Sequence, residues 1–356
     1  MKKLLLLLVI GVISILVACG SGAIEEGSEE GNGDEPEDEI NGDEPEDEDE
    51  DEVTRDNADF VVGVSQIVEH PSLDRATEGF QDALEEAGLS VYFDISLAQG
   101  DNNNASLIAE QFVGDEVDLI FGNSTPSTQS ALNETDEIPI VFTSVTDPEG
   151  AGLVDTMDQP GGNVTGTADM HPDAVPSAVE LVEEMGYESI GLIYNASEQN
   201  SVRQIELVNE VADENGLETH EATVSSSSEV MQSAESLVGQ ADVFLIITDN
   251  TVVSALESVI SVGQNESMPV FVSELDSVRR GGFAGYGFDY YDIGYEAGEK
   301  AVKILEDGEN PGDIPASYPQ NLILEVNEEA AELMGVEITD ELREQAEIVT
   351  TEEEGE

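Results

Sequence analysis

Short apolar runs alternate with amphipathic segments along most of this chain, and this alternation is the strongest restriction on its fold. Three of the runs are almost continuously apolar, at Val117 to Phe121, Ile190 to Ile193 and Val243 to Ile247. Such runs are typical of strands that are buried on both faces of a parallel sheet. Alternation of strands and helices of this kind predicts an α/β fold.

Ten strands are predicted from these runs, and helical periods lie between them. The strands are Phe60–Ile67, Val91–Leu97, Asp118–Gly122, Pro139–Val145, Ser189–Tyr194, Glu218–Val224, Asp242–Thr248, Pro269–Ser273, Phe283–Gly287 and Leu322–Val326. In the first helical period, Leu73, Phe80 and Leu84 share one face, and Gly88 supplies a stop.

The folded part is too long for one core of this type. About 300 ordered residues exceed what a single domain usually holds, so two lobes are expected. The clearest break is Gln159-Pro160-Gly161-Gly162-Asn163, after which the same alternation begins again. We therefore expect two doubly wound lobes with parallel sheets and a cleft between them.

The first residues have the features of an export signal. Lys2 and Lys3 precede an apolar run of 15 residues from Leu4 to Ala18. That run is shorter than the roughly 20 residues that a membrane-spanning helix needs. Its end, Leu-Val-Ala before Cys19, resembles the lipobox of bacterial lipoproteins, in which the cysteine is acylated and becomes the mature N-terminus. The alternative is an ordinary secretory signal with an incidental cysteine. Both predict an extracytoplasmic protein, and the single cysteine excludes an intrachain disulfide.

Acidic residues dominate the composition, with 81 acidic and 10 basic residues and a formal net charge of -71. Eighteen of the acidic residues lie between Glu25 and Glu52, where Gly-Asp-Glu-Pro-Glu-Asp-Glu occurs twice. Such a segment has little to bury, so residues 19–57 are predicted to form a disordered tether after a signal peptide at 1–18.

Residues 53–356 still carry 63 acidic and 8 basic residues, a net charge of −55. Self-repulsion of this size favours unfolding unless salt screens it, which indicates a halophilic setting. An acidic surface for a cationic partner is the weaker alternative. Nucleic acid is excluded as a partner, because phosphate binding needs clustered Lys and Arg.

Ligands of open parallel sheets bind beyond the carboxyl ends of the strands. In the first lobe these ends carry hydroxyls, and in the second they carry carboxylates and amides. Ser124 and Thr125 precede Pro126 at a predicted helix start, whose free N–H groups attract anions. With Ser144 and Thr146 they form a candidate carboxylate cradle, unless they only cap the helix.

Asp249 and Glu274 end strands of the facing lobe and are candidates to hold an ammonium group, unless they are solvated loop acids. A carboxylate site that faces an ammonium site describes an α-amino acid.

The chain has few signs of an enzyme. Its three histidines, His70, His171 and His220, do not pair at metal-ligand spacing, and His70 remains a candidate for ligand contact only. No nucleophile elbow, phosphate loop or dinucleotide fingerprint occurs in the sequence. We expect no catalytic residue, no metal and no cofactor.

Several blocks with a specific order span roughly residues 60–336. They are Val64-Ser65-Gln66-Ile67-Val68-Glu69-His70-Pro71-Ser72-Leu73-Asp74, Asp118-Leu119-Ile120, Thr125-Pro126, Ile138-Pro139-Ile140-Val141-Phe142, Thr146-Asp147-Pro148-Glu149-Gly150-Ala151-Gly152-Leu153-Val154, Asn163-Val164-Thr165-Gly166, Thr248-Asp249-Asn250-Thr251-Val252-Val253 and Tyr286-Gly287-Phe288-Asp289-Tyr290-Tyr291. Together they resemble the tryptophan/tyrosine-type substrate-binding lipoproteins of bacterial ABC transporters. The acidic tether and the acidic surface depart from that pattern.

The resemblance implies the periplasmic-binding-protein type I (Venus-flytrap) fold, in which two Rossmann-like lobes enclose a ligand. It implies a first lobe at 58–166 plus about 277–312 and a second at 167–276 plus about 313–350. The cleft contacts of the family map onto Gln66, His70, Ser124, Thr125, Ser144, Thr146, Asp147, Asn195, Asp249, Asn250 and Glu274.

The resulting hypothesis is a lipid-anchored solute-binding protein, expected to be monomeric. It captures a small ligand, expected to be an amino acid and in particular an aromatic one, and passes it to an ABC permease. The alternatives are a ligand-sensing receptor subunit for a membrane kinase and an extracellular hydrolase.

Overall fold

The computed structural model describes residues 53–352. The predicted signal peptide, Cys19 and most of the acidic tether therefore lie outside the described residues. Within the described part, strands and helices alternate along the chain and form two sheets with helices on both faces. No helix between residues 53 and 352 is long and apolar enough to cross a membrane.

The first lobe is built on a five-stranded parallel sheet in the order β2-β1-β3-β4-β5. Its strands are β1 (Phe60–Gln66), β2 (Val91–Leu97), β3 (Leu119–Asn123), β4 (Ile140–Val145) and β5 (Val164–Ala168). Strand β3 is buried along its whole length, as its apolar composition predicts.

The second lobe is built on a seven-stranded sheet in the order β12-β11-β10-β9-β8-β6-β7. Its strands are β6 (Ser189–Asn195), β7 (Glu218–Val224), β8 (Val243–Ile246), β9 (Val270–Val272), β10 (Ala284–Gly287), β11 (Ile323–Asn327) and β12 (Glu347–Val349). Only the β10–β11 pair is antiparallel.

Twelve α-helices occur among the described residues. They are α1 (Pro71–Glu86), α2 (Asn102–Gly114), α3 (Thr125–Glu134), α4 (Ala174–Glu184), α5 (Gln199–Asn215), α6 (Val230–Leu237), α7 (Asn250–Val253), α8 (Leu256–Glu266), α9 (Leu275–Arg279), α10 (Tyr290–Leu305), α11 (Glu328–Met334) and α12 (Asp340–Gln345).

Helix α10 belongs to the first lobe although it follows strands of the second. It packs closely along α1, where a Cβ at Gly294 would overlap the carbonyl of Ala76. Ala297, Ala301 and Ile304 of α10 join the first-lobe core around the stacked rings of Phe80 and Phe121.

The chain passes between the lobes three times, at points somewhat later than the resemblance implies. Strand β10 pairs with β9, so the chain stays with the second sheet beyond residue 277 and returns with α10. Thr165 Oγ1 donates to the Ile314 carbonyl at 2.7 Å, and Ser317 bridges to Thr167, so residues up to 317 still contact the first sheet.

All ten predicted strands are present, with ends that differ by at most two residues from the prediction. The α/β fold with parallel-rich sheets is confirmed. Strands β5 and β12 were missed. The sequence of β5 is Val-Thr-Gly-Thr-Ala, whose hydroxyls mask its burial, although every residue is buried.

Candidate functional site

A cavity of about 30 Å³ lies between the two lobes, at the carboxyl ends of both sheets. The first-lobe residues that line it are Val68, His70, Ser72, Leu73, Ser144, Thr146, Asp169 and Tyr290. The second-lobe residues are Asn200, Thr248, Asp249, Asn250, Val253 and Glu274. The predicted site residues His70, Ser144, Thr146, Asp249, Asn250 and Glu274 are thus brought together on one cavity.

Direct contacts join the lobes on both sides of this cavity. On one side, Ser72 Oγ lies 2.7 Å from both Glu274 Oε2 and Asp276 Oδ2. On the other side, Gln204 Nε2 donates to Thr146 Oγ1 at 3.3 Å. These contacts hold side chains of opposite lobes within hydrogen-bond distance, so the arrangement is a closed one.

Asp169 is a carboxylate of this site that was not predicted from the sequence. It follows β5 directly, so it stands at a strand end as the other site residues do, and recognising β5 would have identified it. Its side chain is only 8% exposed, and burial raises its pKa to about 6. Oδ2 accepts a hydrogen bond from the Tyr290 hydroxyl at 3.2 Å, whereas Oδ1 is buried with no partner within hydrogen-bond distance. The nearby Thr146 hydroxyl offsets part of the effect of burial on the pKa of Asp169.

Two further residues on the cavity present buried atoms without partners. Ser144 lies one residue before the carboxyl end of β4 and has a φ of 56°, in the left-handed region that non-glycine residues rarely adopt. Its Oγ has no hydrogen-bond partner, and neither has Oδ1 of Asn200 in the facing lobe. Because most buried polar atoms in folded proteins are paired, three such atoms around one cavity mark a place for a polar ligand.

Asp249 lies on the cavity but has both oxygens engaged. Oδ1 accepts the Val252 N–H at 2.8 Å and so caps α7, and Oδ2 accepts the Asn195 N–H at 2.6 Å. Burial, and then the nearby charge of Glu198, raise its pKa to about 7. These bonds give Asp249 a structural role at the strand ends of the second lobe.

Glu274 and His70 meet across the cleft. Glu274 is 3% exposed, accepts from Ser72 and Ser277, and lies 3.9 Å from His70 Nε2. His70 caps α1 and has its Nε2 2.5 Å from Arg280 Nη1. Burial, and then the charge of Arg280, lower the pKa of His70 to about 4, so the ring is neutral at pH 7.

Five predicted site residues do not line this cavity. Gln66 bonds to Asp74 and Thr77 inside the first lobe. Asn195 lies on a wider opening of the cleft, of about 720 Å³. Asp147 is at the rim, where it forms an ion pair of 3.4 Å with Arg203 of the second lobe.

The other two, Ser124 and Thr125, are buried at the start of α3. Ser124 is the capping residue, and its Oγ accepts the Ser127 N–H at 3.1 Å. The hydroxyl of the cap is therefore engaged within the helix.

Comparisons with known proteins agree with this geometry. The family model of the ABC transporter substrate binding protein matches residues 61–350. A tyrosine-binding protein from Clostridioides difficile is 39% identical over 344 residues, which cover 94% of this chain and 93% of that protein.

One of two solved structures of relatives contains a ligand, and the other is ligand-free and open. A domain from Streptococcus pneumonia in complex with L-Trp is 31% identical, covers 81% of this chain and 99% of its own, and superposes with a TM-score of 0.77. A ligand-free, open substrate binding protein from Clostridium difficile is 38% identical and covers 82% of this chain and 100% of its own, but its TM-score is 0.61. The better match to the ligand-bound relative, despite its lower identity, agrees with the closed arrangement of the lobes.

A family match over most of the chain, a relative at 39% identity and a shared two-lobed fold lead to one assignment. This chain belongs to the family of ABC transporter substrate-binding proteins, which are binding proteins and not enzymes.

Proposed function

We propose that this protein captures an α-amino acid, with an aromatic one preferred, in the cleft between its lobes and delivers it to an ABC permease. The observation that carries the proposal is the set of three unpartnered buried atoms on the cavity, Asp169 Oδ1, Asn200 Oδ1 and Ser144 Oγ. An ammonium group supplies donors for the first two, and a carboxylate accepts from the Ser144 hydroxyl. A single α-amino acid carries both groups on one carbon.

The choice of Asp169 for the ammonium group refines the candidates from the sequence. Asp249 already accepts two backbone N–H groups, whereas Asp169 keeps one oxygen without a partner. A buried carboxylate is stabilised by a cation within hydrogen-bond distance, and no Lys or Arg is among the described residues that line the cavity.

The preference for an aromatic side chain rests on the apolar part of the lining and on the relatives. Val68, Leu73 and Val253 line the cavity, and the ring of Tyr290 stacks on Phe288 with centroids 5.3 Å apart. Of the relatives above 30% identity, one is named a tyrosine-binding protein and another is in complex with L-Trp. A cavity of about 30 Å³ is smaller than such a ligand, so entry requires the lobes to separate and the lining to move.

Closure would transmit the bound state to the permease. A ligand that contacts both lobes stabilises the closed state by its differential affinity for that state. Acylation of Cys19 would anchor the protein in the membrane, and the acidic tether would then let the lobes reach the permease from that anchor. The acidic surface fits a saline environment, in which salt screens its charge.

A thermal-shift screen of the twenty amino acids in about 2 M KCl tests this function. A ligand at 100 times its Kd stabilises the folded state by about 2.7 kcal/mol, which raises the Tm by several degrees. We expect the largest shifts with L-tyrosine and L-tryptophan and none with their D-enantiomers. If none of the twenty raises the Tm, the proposed ligand class is wrong.

A further inference from the structure

Glu198 is a buried carboxylate next to the cleft whose role the family assignment leaves open. It precedes α5 in the second lobe and is 5% exposed. Oε1 accepts from the Thr251 hydroxyl at 2.8 Å and from the Thr251 N–H at 3.3 Å. Oε2 accepts from Asn250 Nδ2 at 2.6 Å and from Asn200 Nδ2 at 3.5 Å. Donors therefore surround both oxygens.

This arrangement determines which end of the Asn200 side chain faces the cavity. Asn200 Nδ2 has three acceptors on the protein side, the Thr248 carbonyl at 3.1 Å, Ser201 Oγ at 3.3 Å and Glu198 Oε2 at 3.5 Å. A flipped amide would bring its own oxygen against the Thr248 carbonyl and Glu198 Oε2, neither of which can donate, so the orientation shown is the one that avoids repulsion. Oδ1 of Asn200 is left unpartnered on the cavity.

Asn250 is held in the same way. Its Nδ2 donates to Glu198 Oε2 at 2.6 Å, and its backbone N–H donates to the same oxygen at 3.2 Å. Since the donor end of the amide is bound by Glu198, its acceptor end is the part free to meet a ligand. One carboxylate thus orients two amides of the second-lobe wall.

We propose that Glu198 is a positioning residue for ligand selection, which makes the second-lobe wall accept hydrogen bonds and thereby favours a ligand with a primary ammonium group over its hydroxyl analogue. The proposal rests on the proposed function, and it adds a selection mechanism and a residue that does not line the cavity. Asn200 Oδ1 and Asp169 Oδ1 need one donor each, from opposite lobes. An ammonium group has three N–H donors and serves both, whereas a hydroxyl has one.

Replacing Glu198 by glutamine removes the reason for this orientation at Asn250 and weakens it at Asn200, whose Nδ2 keeps the Thr248 carbonyl. Glutamine keeps one acceptor oxygen and adds an NH₂ donor, so the amide of Asn250 can turn its oxygen toward residue 198. The wall would then present an NH₂ group to the ligand. That group repels an ammonium and tolerates a hydroxyl, because a hydroxyl both donates and accepts.

The test compares L-tyrosine with its α-hydroxy analogue, 3-(4-hydroxyphenyl)lactate, by titration calorimetry in about 2 M KCl. The wild-type protein should prefer L-tyrosine by a factor of about 100 or more, because a site built around N–H donors rejects a ligand that lacks them. The Glu198→Gln variant should lose at least about tenfold of that preference. Glu198→Asp, which keeps a carboxylate, should retain most of it.

Glu221→Gln is the matched control. Glu221 also accepts from an asparagine amide, Asn209 Nδ2 at 2.9 Å, and from a hydroxyl, Tyr194 at 2.9 Å, but on an exposed strand away from the cavity. Its substitution should leave the preference unchanged.

The outcomes separate the selection mechanism from the function itself. An unchanged preference in Glu198→Gln, whatever its absolute affinity, overturns the role of Glu198 and leaves the function intact. A wild-type protein that binds neither L-tyrosine nor any other amino acid overturns both. If Glu198→Gln does not fold, Asn200→Ser, which removes the oriented acceptor, must lose the preference or the proposal is rejected.

Discussion

Replacing Asp169 by asparagine is expected to weaken the binding of the amino-acid ligand by at least about 100-fold. The variant keeps the size of the side chain and an oxygen for the Tyr290 hydroxyl. It removes the one carboxylate among the described first-lobe residues that line the cavity. Removing one partner of a buried ion pair costs roughly 3–5 kcal/mol, and every 1.4 kcal/mol is about tenfold in affinity. Titration calorimetry in high salt measures the loss.

The pH dependence of ligand binding provides a second test of the Asp169→Asn variant. In the unliganded protein the pKa of Asp169 is raised to about 6 by burial, and a bound ammonium lowers it again. Binding therefore releases a proton below pH 6, so the wild-type affinity should fall by up to about tenfold per pH unit there. The asparagine variant lacks this contribution and should show a flatter profile over the same range.

The stability of the unliganded protein is expected to depend on pH in the opposite direction to the ligand affinity. A carboxyl whose pKa is raised on folding contributes stability that is fully present below its unfolded pKa and is lost as the pH rises through the folded value. For Asp169 this loss extends to about pH 6, and for Asp249 to about pH 7. Mild acidification should thus stabilise the empty protein through these groups while it weakens ligand binding through Asp169.

Asp82→Asn is the control for both readouts. Asp82 also accepts from a tyrosine hydroxyl, that of Tyr291 at 2.8 Å, but it lies on α1 away from the cavity. An Asp169→Asn variant that binds the ligand within about threefold of the wild type would contradict the assignment of the ammonium group to Asp169.

Removal of salt is expected to unfold the protein. Residues 53–356 carry a net charge of −55, and eight cations among them are far too few to pair with 63 acidic side chains. At about 1 M salt the Debye length is about 3 Å, so charges on neighbouring helices hardly repel one another. At about 0.01 M it is about 30 Å, so charges repel one another across several helices. Circular dichroism at 222 nm should show loss of helix as KCl is dialysed from about 2 M to about 0.01 M.

The kind of solute that restores the fold shows whether salt acts by screening charge or by being excluded from the protein surface. Sucrose favours compact states because it is excluded from the protein surface, but it does not screen charge. We expect KCl to restore the helical signal and sucrose of equal osmolality to restore much less. A helical signal and a Tm that are the same from molar to millimolar salt would exclude the halophilic interpretation.

The fold was predictable because buried parallel strands have a distinctive composition. Runs such as Leu119–Asn123 and Val243–Ile246 are apolar since helices cover both faces of their sheets. Strand β5 was not predicted because two of its five buried residues are threonines. Their buried hydroxyls form hydrogen bonds, as when Thr167 Oγ1 donates to the Ile293 carbonyl at 2.9 Å. Missing β5 also meant missing Asp169, the residue that follows it.

Only those residues of the site that lie at the ends of strands could be predicted from the sequence. The residues at or just after the carboxyl ends of strands that line the cavity are His70, Ser144, Thr146, Asp249, Asn250 and Glu274. The sequence does not show which oxygen atoms already accept hydrogen bonds within the protein. Asp249 accepts from two backbone N–H groups, whereas Asp169 has one oxygen without a partner, and this difference makes Asp169 the candidate for the ammonium group. Asn200 and Glu198 belong to the start of α5 and became candidates only through their contacts.

The cleft is proposed to recognise the ammonium and the carboxylate of one amino acid together. Titration calorimetry of the wild-type protein in about 2 M KCl with L-tryptophan, tryptamine and indole-3-propionate tests it directly, because the two analogues lack the carboxylate and the ammonium respectively. We expect one L-tryptophan bound per chain, and we expect each analogue to bind more weakly by at least about 100-fold. Binding of either analogue with the affinity of L-tryptophan would contradict it.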